Sequence, residues 1–271
     1  MKSSEQPFSA IILAADRDLH DPVAQAAAVS CKALTPVSGR AMVLRVLDAL
    51  AAAQEVGVRV LAGPAMVSVE QNAELNSLVN SGQVRWFAPQ GSPSSSAFSV
   101  LQALPKDVPV LVTTADHALL SAAMVDHFCV AARRSGCDVV AGVARHELVA
   151  AAFPGTRRTV TRLRDGGYCG CNLFAFLTPQ ARLAADFWRR VEKERKKPLR
   201  IVKVIGLAAV VRYLLGRLTL EQALTGLSQR MQLKAGVVQM PFAEAAVDVD
   251  KVEDWLLVEA VLAKNHQGAP R

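Results

Sequence analysis

The chain has 271 residues and carries 31 Lys+Arg against 24 Asp+Glu, a formal net charge of +7. Apolar residues make up 51%, which excludes a disordered chain, and the length excludes a small scaffold that needs disulfide staples. The basic excess leaves three anionic partners open: nucleic acid, a membrane surface and phosphorylated small molecules.

Ser9–Ala14 is a buried-strand run, and Met42–Ala53 has a helical stripe of Met42, Val46, Leu47 and Leu50. Strand runs at Val58–Ala62, Val84–Ala88, Val108–Thr113 and Asp138–Val143 alternate with helical patterns at Val67–Val79, Ala97–Leu104 and Ala122–Arg134. This alternation predicts an α/β fold with a mostly parallel sheet, whose ligands sit at the carboxyl ends of strands. Next, Thr159–Leu163 and Leu173–Leu177 flank a Gly166-Gly167 turn. Helices are predicted at Pro179–Lys196, Leu199–Leu215, Leu220–Met231 and Val252–Leu262, with a short strand at Val237–Met240. There is no repeat, and Ser92–Ser96 is too short for a linker. A single domain over 1–271 is expected: a nucleotide-binding half at 1–150, an acceptor-binding half with a helical insertion at 151–245, and a closing metal motif and helix at 246–271.

Cys31, Cys129, Cys137, Cys169 and Cys171 are odd in number and contain no C-x-x-C pair. They read as reduced thiols of a cytoplasmic protein. No run reaches the roughly 18–20 apolar residues of a spanning helix, and Val204–Leu215 contains Arg212. Phe8–Ala15 is too short for a secretory core.

Several groups of residues carry chemistry. The strand Val110–Thr113 delivers Asp116 to its carboxyl end, where a carboxylate serves either as a Mg²⁺ ligand beside substrate phosphates or as a turn residue before Ser121. His117 next to it reads as a surface residue. In Asp248-Val249-Asp250, alternation puts both carboxylates on one face of a short strand. Asp250 with Glu253 has capping-box spacing, so Asp250 reads as a helix cap. Gln90, Gly91, Ser92 and Ser96 lie between a strand and a helix, as a solvent loop with capping serines or as a binding loop. The hairpin Arg162–Asn172 includes Gly167 and Tyr168 and is preceded by Arg157 and Arg158. Its arginines can fork onto an acceptor phosphate, or simply be solvated. Asn172 is the single polar residue entering an apolar strand and needs a fixed partner. Arg189–Lys197, followed by apolar Leu199–Leu215 with Arg200, Lys203 and Arg212, reads as a solvated helix and a buried one, or as a cationic segment lying on an anionic membrane.

The motif order resembles the nucleotidyltransferase branch of the GT-A fold, the MobA-like NTP transferases that include molybdenum-cofactor guanylyltransferases and methylerythritol-phosphate cytidylyltransferases. Leu13-Ala14-Ala15 and Lys32-Ala33-Leu34 match L-A-A-G-x-G-x-R and P-K-x-L. Ala115-Asp116-His117-Ala118-Leu119 resembles A-D-x-P-L, with Ala118 in place of the proline, and Asp248-Val249-Asp250-Lys251-Val252-Glu253-Asp254 resembles D-I-D-T-P-E-D. Asp16, Asp18 and His20 stand where the family has Gly, Gly and Arg, and Cys31 replaces its proline.

The resemblance implies a three-layer sandwich around a mixed, mostly parallel sheet. It implies Mg²⁺ held by Asp116 and Asp248, with Lys32 and Arg17 acting on the α-phosphate. It also implies nucleotide binding by Leu13, Ala14, Ala15, Asp16, Gln90, Gly91, Ser92 and Ser96, and an acceptor framed by Arg162, Gly167, Tyr168 and Asn172. The expected reaction moves NMP from an NTP, with CTP slightly favoured, to a small phosphorylated acceptor and releases pyrophosphate. No nucleic-acid partner is expected, and peripheral membrane contact through 189–215 at the inner face is an option. The competing expectation, raised by the altered glycine loop, is a catalytically degenerate nucleotide binder.

Overall fold

The computed structural model describes residues 6–16, 21–156, 158–194 and 206–267. The first strand, β1 (Phe8–Leu13), is buried along its whole length. Its side chains alternate between two cores: Phe8, Ala10 and Ile12 enter one, Ile11 and Leu13 the other. A strand buried on both faces must have helices on both sides. After the short helix α1 (Pro22–Ala26) and a 3₁₀ turn at Lys32–Leu34, the hairpin β2 (Pro36–Val37) and β3 (Arg40–Ala41) leads into α2 (Met42–Ala52). Then come β4 (Val56–Ala62), α3 (Met66–Glu70), α4 (Ala73–Asn80), β5 (Arg85–Phe87), α5 (Pro93–Ala103), β6 (Val110–Thr114) and α6 (Ala122–Arg134). The single helix expected at Val67–Val79 is broken, because the Asn72 side chain caps a new start by accepting the Leu75 N–H. In the same way Ser92 caps α5, so its helix begins four residues before the expected Ala97.

The second half supplies β7 (Val139–Arg145), α7 (His146–Ala152), β8 (Thr161–Leu163), β9 (Gly166–Phe176), α8 (Arg182–Glu194), α9 (Leu207–Leu214), α10 (Leu220–Met231), β10 (Ala235–Gln239) and α11 (Val252–Gln267). The sheet order is β10-β7-β9-β6-β1-β4-β5, with β8 paired to β9. The β9 strand is antiparallel to β6 and β7, while β10–β7, β6–β1, β1–β4 and β4–β5 are parallel. Helices α2 and α6 contribute to one core, and α5 and α8 to the other. This is the expected sandwich with a mixed, mostly parallel sheet. The buried Arg182 guanidinium, at the start of α8, donates to the Leu101, Leu104 and Pro105 carbonyls, so α8 closes the end of α5.

Candidate active site

Strands β1 and β6 are parallel neighbours, and the chain order reverses between them, with β4 and β5 beyond β1 and β9 beyond β6. Such a switch point is where open α/β sheets bind ligands. A cleft of about 270 Å³ opens there. Leu13, Ala14, Ala15 and Asp16 line it from the end of β1, Thr114 and Asp116 from the end of β6, and Pro93 and Ser96 from the first turn of α5. Gly63, at φ +81° beyond β4, supports this wall: a Cβ there would lie 3.0 Å from the Ala15 nitrogen, so glycine allows both the backbone angle and the approach.

Lys32 is the hub. Its Nζ lies 2.6 Å from Asp116 Oδ2 and 3.2 Å from Asp250 Oδ1. Burial works against the ammonium, but the two carboxylates outweigh it and hold its pKa above the ordinary lysine value. The Lys32 backbone N–H donates to both Asp16 oxygens at 3.1 and 3.2 Å. Burial raises the Asp16 pKa, against the lowering effect of that hydrogen bond. The cleft is lined by four aspartates, Asp16, Asp21, Asp116 and Asp250, and by one lysine. Asp21 Oδ1 accepts the Val23 and Ala24 N–H groups and so caps α1. Among the described residues, buried Asp116 Oδ1 and Thr114 Oγ1 have no hydrogen-bond partner. Two orphaned oxygens on a cleft wall are a place for a ligand or ion.

Asp248 lies behind this cleft and is not part of its lining. Its Oδ2 accepts from Asn172 Nδ2 at 2.9 Å, and Arg158 Nη1 donates to its carbonyl at 2.9 Å and to Oδ1 at 3.3 Å. Burial, followed by the charges of Asp250 and Asp116, raises the Asp248 pKa. The partner expected for Asn172 is therefore Asp248. Asn172 sits at φ 48°, inside a bulge where β9 runs from Phe174 to Gly170 while β7 runs only from Ala141 to Val143. Asn tolerates that left-handed geometry.

Asp250 does not cap the last helix. Instead Asp254 Oδ2 accepts the Asp250 and Lys251 N–H groups, and Asp254 Oδ1 meets Arg158 Nη2 at 3.0 Å. The Asp250 carboxylate is thereby left to face Lys32. Val247 and Val249 are fully buried, so the alternation holds although no strand forms there. The Val249 N–H donates to the Asp116 carbonyl at 3.1 Å and ties the two acidic segments together.

Other expected site residues lie elsewhere. Gln90, Gly91 and Ser92 do not line the cleft, whereas Ser96 does, and its Oγ accepts the Gln90 N–H at 2.9 Å. Arg162 and Gly167 pair across the β8–β9 hairpin. Tyr168 faces a separate hollow with Arg145 and Asp165. Arg17, Asp18, His20 and Arg157 lie outside the described residues. His117 is buried rather than on the surface, and burial lowers its pKa to about 4. The residues not singled out from sequence are Thr114, Asp21 and Arg158 as the link between Asp248 and Asp254. Arg158 was legible only as one of several basic hairpin residues.

An open α/β sheet with a lysine and carboxylates at its switch point defines a protein that binds a polar ligand at the carboxyl ends of its strands. The MobA-like NTP transferase domain matches residues 10–229, and the chain belongs to that family of nucleotidyltransferases. A hypothetical transferase from Thermus thermophilus is 30% identical with a TM-score of 0.75, the match covering 92% of this chain and 99% of that one. A 4-diphosphocytidyl-2C-methyl-D-erythritol synthase from Anaerococcus prevotii is 18% identical, with a TM-score of 0.58 over 95% of this chain and 96% of that one. A CMP:2-keto-3-deoxy-manno-octonic acid synthetase in complex with CTP is 12% identical, with a TM-score of 0.56 over 96% and 99%. The last two share the fold. No curated protein sequence matches the chain.

Proposed function

We propose that this nucleotidyltransferase moves NMP from an NTP, with CTP favoured, onto a small phosphorylated acceptor and releases pyrophosphate. The observation that carries this reading is the cleft at the β1–β6 switch point, where Lys32, Asp116 and Asp250 converge beside the unpartnered Asp116 Oδ1 and Thr114 Oγ1. Four aspartates against one lysine repel a bare triphosphate, so the lining calls for a cation carried in with the nucleotide.

Among the described residues there is no group of three or more His, Cys, Asp or Glu able to hold a metal. Mg²⁺, however, is commonly held by one or two carboxylates together with substrate phosphates and water. Asp116 and Asp250 fit that pattern. Asp248 supports them from behind, through Arg158 and Asn172. Bound there, the ion would neutralise phosphate charge.

Lys32, held in the cleft by Asp116 and Asp250, would face the α-phosphate and offset the charge that grows there. An acceptor phosphate oxygen attacks the α-phosphorus, and the bond to the β-phosphate bridging oxygen breaks. Pyrophosphate leaves with that electron pair. The first turn of α5, with Ser96, faces the nucleotide, and the β8–β9 hairpin takes the acceptor. Asp16 replaces the family's first loop glycine and occupies the Lys32 N–H, so phosphate contact falls to side chains rather than to a glycine loop.

The test is a pyrophosphate-release screen of four NTPs with Mg²⁺ against sugar and polyol phosphates. Turnover with one NTP that is abolished by chelation and by Asp116→Ala supports the reading. Nucleotide-induced thermal stabilisation without turnover across the panel would instead favour the degenerate binder.

A further inference from the structure

We propose that α9 and the adjoining arginines form a docking surface for an anionic lipid bilayer. Helix α9 buries none of its residues. Leu207, Val211 and Leu214 are 67%, 44% and 77% exposed, and Leu215 just beyond is 61% exposed. Their spacing of i, i+4, i+7 and i+8 makes one apolar stripe. Solvating so much contiguous apolar surface is unfavourable, and patches of this kind mark interaction sites.

The charge beside the stripe says what covers it. Arg164, Arg212 and Arg217 share one hollow next to Leu215. None of the three guanidiniums meets a carboxylate among the described residues. The neighbouring Asp165 is already engaged by the Leu220 N–H at 3.1 Å. From Gly206 to Leu220 the described chain holds Arg212 and Arg217 and no Asp or Glu. A bilayer with anionic headgroups satisfies both parts at once, because acyl chains take the leucines and phosphates take the arginines. A second copy docked by two-fold symmetry would bring like charges together, and nucleic acid offers nothing to the apolar stripe.

The surface lies at the edge of the sheet that carries the cleft. Strand β9 is antiparallel to β6, so the hairpin preceding it extends from the carboxyl ends of the parallel strands. The Arg164 N–H donates to the Leu218 carbonyl at 2.8 Å, which ties the α9–α10 link to that hairpin. No described helix is long and apolar enough to cross a membrane, so the contact is peripheral.

Co-sedimentation with vesicles tests the proposal independently of catalysis. The full chain should bind phosphatidylcholine vesicles containing phosphatidylglycerol and should not bind phosphatidylcholine alone, and molar salt should release it. Arg212→Gln with Arg217→Gln should weaken binding by about 25-fold at low salt. Leu214→Glu should weaken it by at least about tenfold. Both variants change exposed positions, and an unaltered thermal midpoint confirms that each is folded. Leu214→Ser serves as a milder variant if Leu214→Glu is not folded. Equal binding to neutral vesicles, no binding to anionic ones, or a concentration-dependent dimer that Leu214→Glu dissociates would each overturn the proposal.

Discussion

The cleft edge and the α9 edge handle charge in opposite ways. At the cleft Lys32 is matched to Asp116 and Asp250, and behind it Arg158 is matched to Asp248 and Asp254. At α9, Arg164, Arg212 and Arg217 gather without a carboxylate beside an exposed apolar stripe. Compensated charge in a partly buried setting holds geometry, since removing one partner strands the other. Uncompensated charge at the surface costs little there and stays available to a partner. Changes at the first edge should therefore be felt within the protein, and changes at the second only when a partner is present.

The largest expected effect is at Asp116. Asp116→Asn should lower pyrophosphate release by about 10³-fold in a folded protein, and a loss under tenfold would contradict its placement at the reaction centre. Arg158→Ala should cost about 3 kcal/mol in urea unfolding, because the Asp248 and Asp254 carboxylates lose their shared counter-charge. Adding Asp248→Asn to that variant should restore part of the loss. If it restores nothing, the Arg158–Asp248 link is not what holds the segment.

His117 gives a pH window. Its imidazole is neutral in the fold, with a pKa of about 4 against an ordinary 6.5. The unfolded chain therefore binds the proton more readily. The stability that depends on neutral His117 is complete above pH 6.5 and is lost as pH falls through 6.5 towards 4, by no more than about 3.5 kcal/mol. Urea titrations of the chelated protein check this, and His117→Gln should flatten the slope in that window. The smallest effect belongs to α9, where Leu214→Ser should change stability by under about 0.5 kcal/mol. A larger loss in calorimetry would mean that α9 is packed rather than presented.

The contrast also explains what could be read from sequence. The αβ alternation was legible because β1 and β6 are largely apolar runs and β4 ends on the buried Val60-Leu61-Ala62, and α6 and α10 follow the helical period to their ends. Lys32 and Asp116 were legible as motif residues at strand ends, and the structure brings them into one ion pair. What was not legible is how the backbone around Asp250 is held. Capping-box spacing pointed to Asp250 as a cap, but the backbone there is held by Asp254, whose own position depends on Arg158 almost a hundred residues earlier. A non-local guanidinium overrides a local pattern. The bulge that turns Asn172 towards Asp248 was hidden for the same reason, since it exists only against the register of β7.

The Arg182 guanidinium has a practical consequence for anyone dissecting this enzyme. It supplies the donors for the three carbonyls that end α5, while the first turn of the same helix forms a wall of the cleft. A fragment truncated before Arg182 to isolate a minimal nucleotide binder would leave those carbonyls without donors. The damage would be transmitted along one helix to the very pocket the fragment was cut to preserve.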